Sequence, residues 1–420
     1  MMKSFDKANA FVAKKLIKPY AEGCLSDLTF AVKDNIDLAQ QVTANGNPSW
    51  ADTHPVPEVN AVCVEQLLSA GATCVGKTQL DELAYSLIGQ NPFYETPINT
   101  KAANRIVGGS SSGSAAAVAS GQVDFALGTD TGGSVRVPAS NCGLWGYRPS
   151  HGLISVAGVC TLAPSFDTVG VLASKGEVLE KVIQVLTASD AVEHKESGAS
   201  ICFVSDIFKK CSGQLLSAAQ NLVADKLIRL NFDQNVHECK LNSLDVGQNM
   251  TVQNMTLAEI VNEEIDDSWL FQRFGPLIST EVWNSLGAWV KSTQSKLSTN
   301  IANGLKAYPE SADRTAIQAA LLDAKRFANK LQDFLNAGNI LCYPTTVDLA
   351  PKFTDITEAF VVDGDYYPRT MAVTSIAGLS RSPEITVPML DVDGVPIGLS
   401  FVAGSGQDNR LMKLCRAMMA

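Results

Sequence analysis

Apolar positions in the first third of the chain fall in short blocks separated by loops. Leu28-Thr29-Phe30-Ala31-Val32 is a compact, partly β-branched run that ends at Lys33-Asp34-Asn35. It predicts a buried strand that delivers Lys33 to a loop at its C-terminal end. Residues 57–70 carry Ala61, Val64, Leu67 and Leu68 at helical spacing, residues 72–76 form another short apolar segment, and a second helix is expected around residues 80–87. This is the alternation of an α/β fold. Residues 115–120 then predict a helix and residues 123–127 a strand, bracketed by two glycine-rich loops at 108–114 and 128–134. At the N-terminus, Lys3, Lys7, Lys14, Lys15 and Lys18 interleave with Phe5, Phe11, Leu16 and Ile17, which predicts an amphipathic helix lying on the body of the protein.

Beyond about residue 195 the texture changes. Residues 212–340 are mostly helical in pattern and poor in the glycine of the first half, as expected of a helical cap. Strand character returns at 340–344 and 384–390, and Asp393-Gly394 marks a hairpin turn into 397–403. The expected fold class is α/β: a single domain with a mixed central sheet, helices on both faces and a helical insertion. Its parts would be a core over 28–195, a cap over 196–340 and a C-terminal return to the sheet over 341–420.

Composition narrows the function. The 420 residues are 46% hydrophobic and 18% charged, with 31 Gly and 17 Pro, a globular profile. The net charge of -10 comes without a basic stripe, which argues against nucleic acid as a partner. No run reaches the roughly 18 to 20 apolar residues a membrane helix requires. The 10 cysteines form no CxxC pair, which suits reduced thiols and a cytoplasmic location. His237, Glu238 and Cys239 with Cys202 and Cys211 match no structural zinc spacing.

Both glycine-rich loops fit G-x-x-x-x-G-S, yet neither has the lysine a phosphate-binding loop places after its last glycine. No dinucleotide fingerprint follows a strand. Acyl transfer accounts for them better: the backbone N–H groups around Thr131, Gly132 and Gly133 can converge on an oxyanion beside the Ser134 hydroxyl. A serine nucleophile requires a base. Only His54, His151, His194 and His237 are available as histidines, and His151 reads as a structural loop residue. Lys33 is the other candidate. A free lysine, with a pKa of about 10.4, is neutral in under about one molecule in a thousand at pH 7. Burial at the end of an apolar strand can lower that by roughly 3 to 5 units. Composition alone still favours a solvated strand-end lysine over a catalytic one. Cys142 and Cys160 remain candidate pocket thiols.

The segment Gly-Gly-Ser-Ser-Ser-Gly-Ser-Ala-Ala-Ala-Val-Ala at 108–119, followed by Gly-Thr-Asp-Thr-Gly-Gly-Ser-Val-Arg-Val-Pro-Ala-Ser at 128–140, resembles the amidase signature family of serine amidohydrolases. The likeness runs from Lys33 to Gly170 and recurs at 342–345 and 394–399, whereas residues 195–335 carry no matching motif. It implies a Ser-Ser-Lys triad of Ser134 as nucleophile, Ser110 as bridge after a cis peptide bond, and Lys33 as base. Ser111, Asp130 and Arg136 are implied as loop support or substrate contacts. No cofactor or metal is expected, the partner is a small amide, and a homodimer is an allowed assembly. Gly46-Asn47-Pro48-Ser49-Trp50, Arg148-Pro149-Ser150-His151-Gly152 and Ser165-Phe166-Asp167-Thr168-Val169-Gly170 look similar to plant indole-3-acetamide amidases, which points to arylacetamides. The alternatives are the amidase subunit of a glutaminyl-tRNA-forming amidotransferase and a non-catalytic amidase-like binding module.

Overall fold

The short apolar blocks become strands of one mixed sheet. A computed structural model describes residues 6–187, 200–222, 236–239, 250–293, 296–311, 313–357, 360 and 364–419. Its strands are β1 (Phe11–Ile17), β2 (Thr29–Lys33), β3 (Thr73–Thr78), β4 (Phe125–Asp130), β5 (Trp145–Arg148), β6 (Thr168–Ala173), β7 (Ser200–Val204), β8 (Val236–Cys239), β9 (Met250–Met255), β10 (Asn339–Pro344), β11 (Glu384–Val392) and β12 (Val395–Val402). They lie side by side in the order β1-β3-β2-β4-β6-β5-β11-β12-β10-β7-β9-β8. β2 runs parallel to both β3 and β4, and β4 is antiparallel to β6. Every residue of β4 and β6 is buried, because helices cover both faces of the sheet there.

The helix Ser112–Ala119 follows the first glycine-rich loop, and all of its residues are buried. Its small side chains are a packing requirement. A Cβ on Gly113 would lie 2.4 Å from Ala10 O and 2.6 Å from Gln79 N, so no other residue fits without moving backbone. The expected hairpin is present as β11–β12, with Asp393 at φ 53° and Gly394 at φ 79° supplying the two left-handed residues of a tight turn.

Three expectations are corrected. Residues 11–17 are an edge strand and not part of an amphipathic helix, while Lys3 and Phe5 lie outside the described residues: β1 pairs antiparallel with β3, Lys14 reaches over the Phe11 ring, and Leu16 is 64% exposed. An edge strand tolerates charge on its solvent side, and that side produced the lysine pattern. Residues 80–87 hold only a short 3₁₀ turn over Glu82–Ala84, with Leu83 at φ 53° and Ala84 at φ 57°. Finally, the region expected to be a helical cap first adds β7, β8 and β9 to the sheet. The helical layer begins at Leu257 and consists mainly of Asp267–Thr293, Thr299–Ser311 and Arg314–Asn336.

Candidate active site

Two parallel neighbours build the site. β2 carries Lys33 to its end, β4 carries Asp130 to its own, and the loop after β4 presents Ser134. Lys33 is fully buried and donates to Ser110 Oγ at 2.8 Å and to Thr129 Oγ1 at 2.8 Å. Asn35 Nδ2 also donates to Thr129 Oγ1, at 3.0 Å, so this hydroxyl is fixed from two sides. Burial drives the Lys33 pKa down from 10.5 to about 7, against the opposing pull of Asp81, Asp130 and Asp167. A lysine near 7 can act as a base at neutral pH.

Ser110 follows a cis peptide bond from Gly109. Ser111 binds the two glycine-rich loops together: its N–H donates to Ser134 O at 3.1 Å and its hydroxyl to Thr129 O at 3.3 Å. Ser134 is buried, 4% exposed, on the loop that follows β4.

Asp130 organises the nucleophile loop. Its carboxylate accepts from the N–H groups of Gly133, Val135 and Arg136, and from the guanidinium groups of Arg136 and Arg148. Burial works to raise its pKa, but the two arginines and the backbone donors hold it well below the usual carboxylate range. Arg136 is fully buried, with further bonds to Thr374 O and Glu384 Oε2 at 2.7 Å each. It therefore supports the loop, and the alternative role of meeting a substrate carboxylate is not open to it. The Gly133 N–H is already committed to Asp130 at 3.0 Å. Of the three residues expected to line an oxyanion site, Thr131 and Gly132 remain, with Ser134 N–H beside them. Thr131 is held by its hydroxyl, which donates to Asp167 Oδ1 at 2.7 Å.

The helix Tyr366–Ser380 links this loop to a cavity. A Cβ on Gly133 would meet Thr374 at 2.9 Å and one on Gly132 would meet Met371 Cε at 3.1 Å, so Thr374 and Met371 abut the nucleophile loop. One turn earlier, Tyr366 and Tyr367 line a cavity of about 950 Å³ with Tyr85, Tyr94, Leu297 and Ile301. Among the described residues its lining contains no Lys, Arg or His. Glu82, also on the wall, is tied to Asn47 Nδ2 at 2.6 Å and Ser298 N at 3.1 Å.

The other candidates lie elsewhere. His151 is bonded through its backbone N–H to Arg381 O, and burial together with Arg381 and Arg148 lowers its pKa to about 4. Cys142 is fully buried, with its thiol pushed up by desolvation, and burial likewise pushes Cys160 up to about 12, so neither supplies a thiolate. Cys202 and Cys211 are buried, while the side chains of His237, Glu238 and Cys239 lie outside the described residues. Among the described residues, no group of three or more His, Cys, Asp or Glu side chains is arranged to hold a metal. No described helix is long and apolar enough to cross a membrane.

Thr129, Asn35, Asp81, Asp167 and the tyrosines belong to the site without a sequence motif that marks them. Thr129 sits inside the glycine-rich motif, but nothing local marks its hydroxyl as a Lys33 partner. Asp81 and Tyr85 lie in the segment misread as a helix.

The chain is similar to known proteins along most of its length. The Amidase family profile matches residues 3–412. The chain is 34% identical over 427 aligned residues to Amidase 1 of Arabidopsis thaliana, covering 98% of each chain. It is 31% identical to the Translocon at the outer membrane of chloroplasts 64 of Pisum sativum, over 95% of this chain and 67% of that one. The fold superposes on a crystal structure of an amidase with a TM-score of 0.77 at 24% identity, over 94% of this chain and 85% of that one. Family profile, full-length likeness and fold converge: the chain belongs to the amidase signature family and is an amide hydrolase.

Proposed function

We propose that the protein hydrolyses small neutral carboxamides, arylacetamides among them, through an acyl-enzyme on Ser134. The observation that carries the reading is the fully buried Lys33, 2.8 Å from Ser110 Oγ with a pKa near 7. Neutral Lys33 takes the Ser110 proton as Ser110 takes the proton of Ser134, whose oxygen attacks the amide carbon. The N–H groups of Thr131, Gly132 and Ser134 receive the oxyanion. The relayed proton returns to the leaving nitrogen as the C–N bond breaks, and ammonia or an amine departs. Water then attacks the ester by the same relay and frees the carboxylate. An aromatic-lined cavity without a cation favours an uncharged, ring-bearing acyl group over an amino-acid amide with a free carboxylate. The abundance of reduced, buried thiols fits a cytoplasmic enzyme.

The test offers phenylacetamide, indole-3-acetamide, acetamide and glutamine to the isolated chain, with ammonia as the readout. Ring-bearing amides are expected to turn over and glutamine is not. Ser134→Ala should abolish turnover and block labelling by a serine-directed fluorophosphonate. Activity only on glutamine, and only with ATP and an added partner protein, would replace this reading with an amidotransferase component. Inertness towards every amide and the fluorophosphonate would replace it with a binding module.

A further inference from the structure

Asp81 is fully buried and engages the Gly109–Ser110 turn twice. Its backbone N–H donates to Ser110 O at 3.2 Å. Its carboxylate lies so close to Gly109 that a Cβ there would sit 2.2 Å from Oδ2 and 2.4 Å from Oδ1. The segment that follows continues the strap: Gly89 N–H donates to Asp81 Oδ2 at 2.8 Å, and Gly109 N–H donates to Leu87 O at 2.9 Å. Ser86 and Ser112 hydroxyls also serve the carboxylate. Oδ1 nevertheless lacks a hydrogen-bond partner among the described residues.

The charges around Lys33 differ in how far they are already neutralised. Asp81, Asp130 and Asp167 act on it, in that order of strength. Asp130 is ion-paired to Arg136 at 2.7 Å and to Arg148 at 3.1 Å. Asp167 takes the Thr131 hydroxyl and the N–H groups of Leu162 and Ala163. Asp81 makes no direct ion pair among the described residues; burial raises its pKa above the ordinary carboxylate value, and the Gly89 N–H, the Ser86 hydroxyl, the Lys33 charge and the Ser112 hydroxyl act against that rise. Asp81 also acts on the hydroxyl of Tyr367, which Tyr85 adjoins in turn. Creating an ammonium at a fully buried Nζ is costly unless a nearby negative charge offsets it.

We propose that Asp81 is a positioning residue of the hydrolytic site, clamping the Gly109–Ser110 turn so that the Ser110 hydroxyl stays on Lys33 and offsetting the ammonium that forms when Lys33 takes the proton. The proton moves from Ser110 Oγ to Lys33 Nζ and back, and Asp81 neither gains nor loses a bond. The proposal rests on the Lys33–Ser110–Ser134 relay proposed above.

The experiment measures kcat/KM for phenylacetamide against pH in the full chain and in Asp81→Asn, alongside a ¹⁵N-lysine NMR titration of Lys33 in the Ser134→Ala background. Wild type should show an acid limb near pH 7, where Lys33 loses its proton. In Asp81→Asn the rate at pH 8 is expected to fall by about 10- to 100-fold. The limb and the NMR midpoint should both move to lower pH by about one unit, because a removed anion no longer favours the ammonium. A uniform loss with an unmoved limb would mean that Asp81 only braces the fold, and would overturn the proposal. If Asp81→Asn does not fold, Ser86→Ala replaces it. That change strips one donor, leaves the carboxylate charge less shielded and should move the limb the opposite way, to higher pH, by less; an unmoved limb there overturns the proposal equally. Retained activity in Ser134→Ala would instead sink the relay itself, so the two failures are distinguishable.

Discussion

The signature half of the molecule, residues 28–173, and the helical layer, residues 257–336, face the same cavity but are built on opposite terms. In the first, polar groups are buried and hydrogen-bonded: Lys33, Ser110, Asp130, Arg136 and Arg148 are all 0% exposed and bonded to one another or to backbone. In the second, charged groups pair near the surface, as in Arg273–Asp323 and Arg326–Glu263, and Leu321 and Leu322 stand 59% and 68% exposed. Buried hydrogen-bonded networks hold their groups rigidly, whereas a layer held by amphipathic packing tolerates substitution. The buried polar cluster is therefore rigid, and the part of the cavity wall that the helical layer supplies, Leu297 and Ile301 among it, is adaptable.

The largest effect is expected at Lys33. Lys33→Met should reduce kcat/KM for an active amide by roughly 10² to 10⁴-fold. The same variant should be more stable than wild type at neutral pH. The Lys33 pKa is about 7 in the folded chain against 10.5 for the free side chain, so between these values the unfolded chain holds the proton and the folded chain does not. Wild-type stability therefore rises with pH across that window. The full move corresponds to roughly 5 kcal/mol as an upper bound, reduced by the hydrogen bonds Lys33 loses to Ser110 and Thr129. Urea melts at pH 7 and pH 10 check it: the gain from Lys33→Met should be larger at pH 7. An equal gain at both would show that Lys33 is not held neutral by burial.

Next in size is the network beneath the nucleophile. Arg136→Ala leaves Asp130 and Glu384 with less compensation in a dry site and is expected to cost about 3 to 5 kcal/mol of stability. Chemical denaturation measures it. A loss below about 1 kcal/mol, as for an exposed pair, would contradict the rigidity assigned to this half.

The two halves were also unequally legible in the sequence. β2, β4 and the two loops announce themselves because burial on both faces forces continuous apolar runs and because glycine is obligatory where backbones meet. Gly113, Gly133 and Gly109 each have no room for a Cβ. Residues 80–87 misled because Leu80, Leu83, Ala84 and Leu87 have helical spacing and are all buried, yet the backbone turns through left-handed φ at Leu83 and Ala84. Long-range bonds decide that conformation, Leu83 N–H to Asn45 O and Asp81 N–H to Ser110 O, and local pattern does not encode them. The lysine-rich N-terminus misled for a related reason: an edge strand and an amphipathic helix both alternate charge with apolar groups, and only the pairing of Phe11 with Thr78 tells them apart. The pocket tyrosines come from separate segments at 85, 94 and 366–367, so no window of sequence contains the cavity.

A smaller effect, confined to the wall, is expected from Tyr367→Ala. Tyr367 lines the cavity one turn before Met371, which abuts Gly132. Losing the ring should weaken transition-state binding of phenylacetamide by about 1 to 3 kcal/mol, some 10- to 100-fold in kcat/KM. Acetamide, too small to reach it, should change little. Steady-state kinetics on the pair gives the ratio directly. Equal losses on both amides would mean that the wall acts on the chemistry after all, and the division would fail.

The smallest effect is expected where the two halves are tied. Asn47 caps the helix Pro48–Thr53 by accepting from Ser49 N and Trp50 N, while its amide donates to Glu82 Oε1 at 2.6 Å and to Lys296 O at 2.8 Å. Glu82 in turn accepts from Ser298 N, so one side chain joins the helix Pro48–Thr53, the cavity wall and the start of the helix Thr299–Ser311. Asn47→Ala removes the cap and the strut together, which should cost about 1 to 2 kcal/mol. Because Lys33, Ser110 and Ser134 are positioned by β2, β4 and the glycine-rich loops, acetamide turnover should stay within about twofold at a temperature where the variant is folded. The helical layer should instead open more readily, and limited proteolysis would report this as faster cleavage within 257–311. Faster cleavage spread over 28–173 as well would mean that the two halves unfold as one unit, and that the rigidity of the site depends on the layer above it.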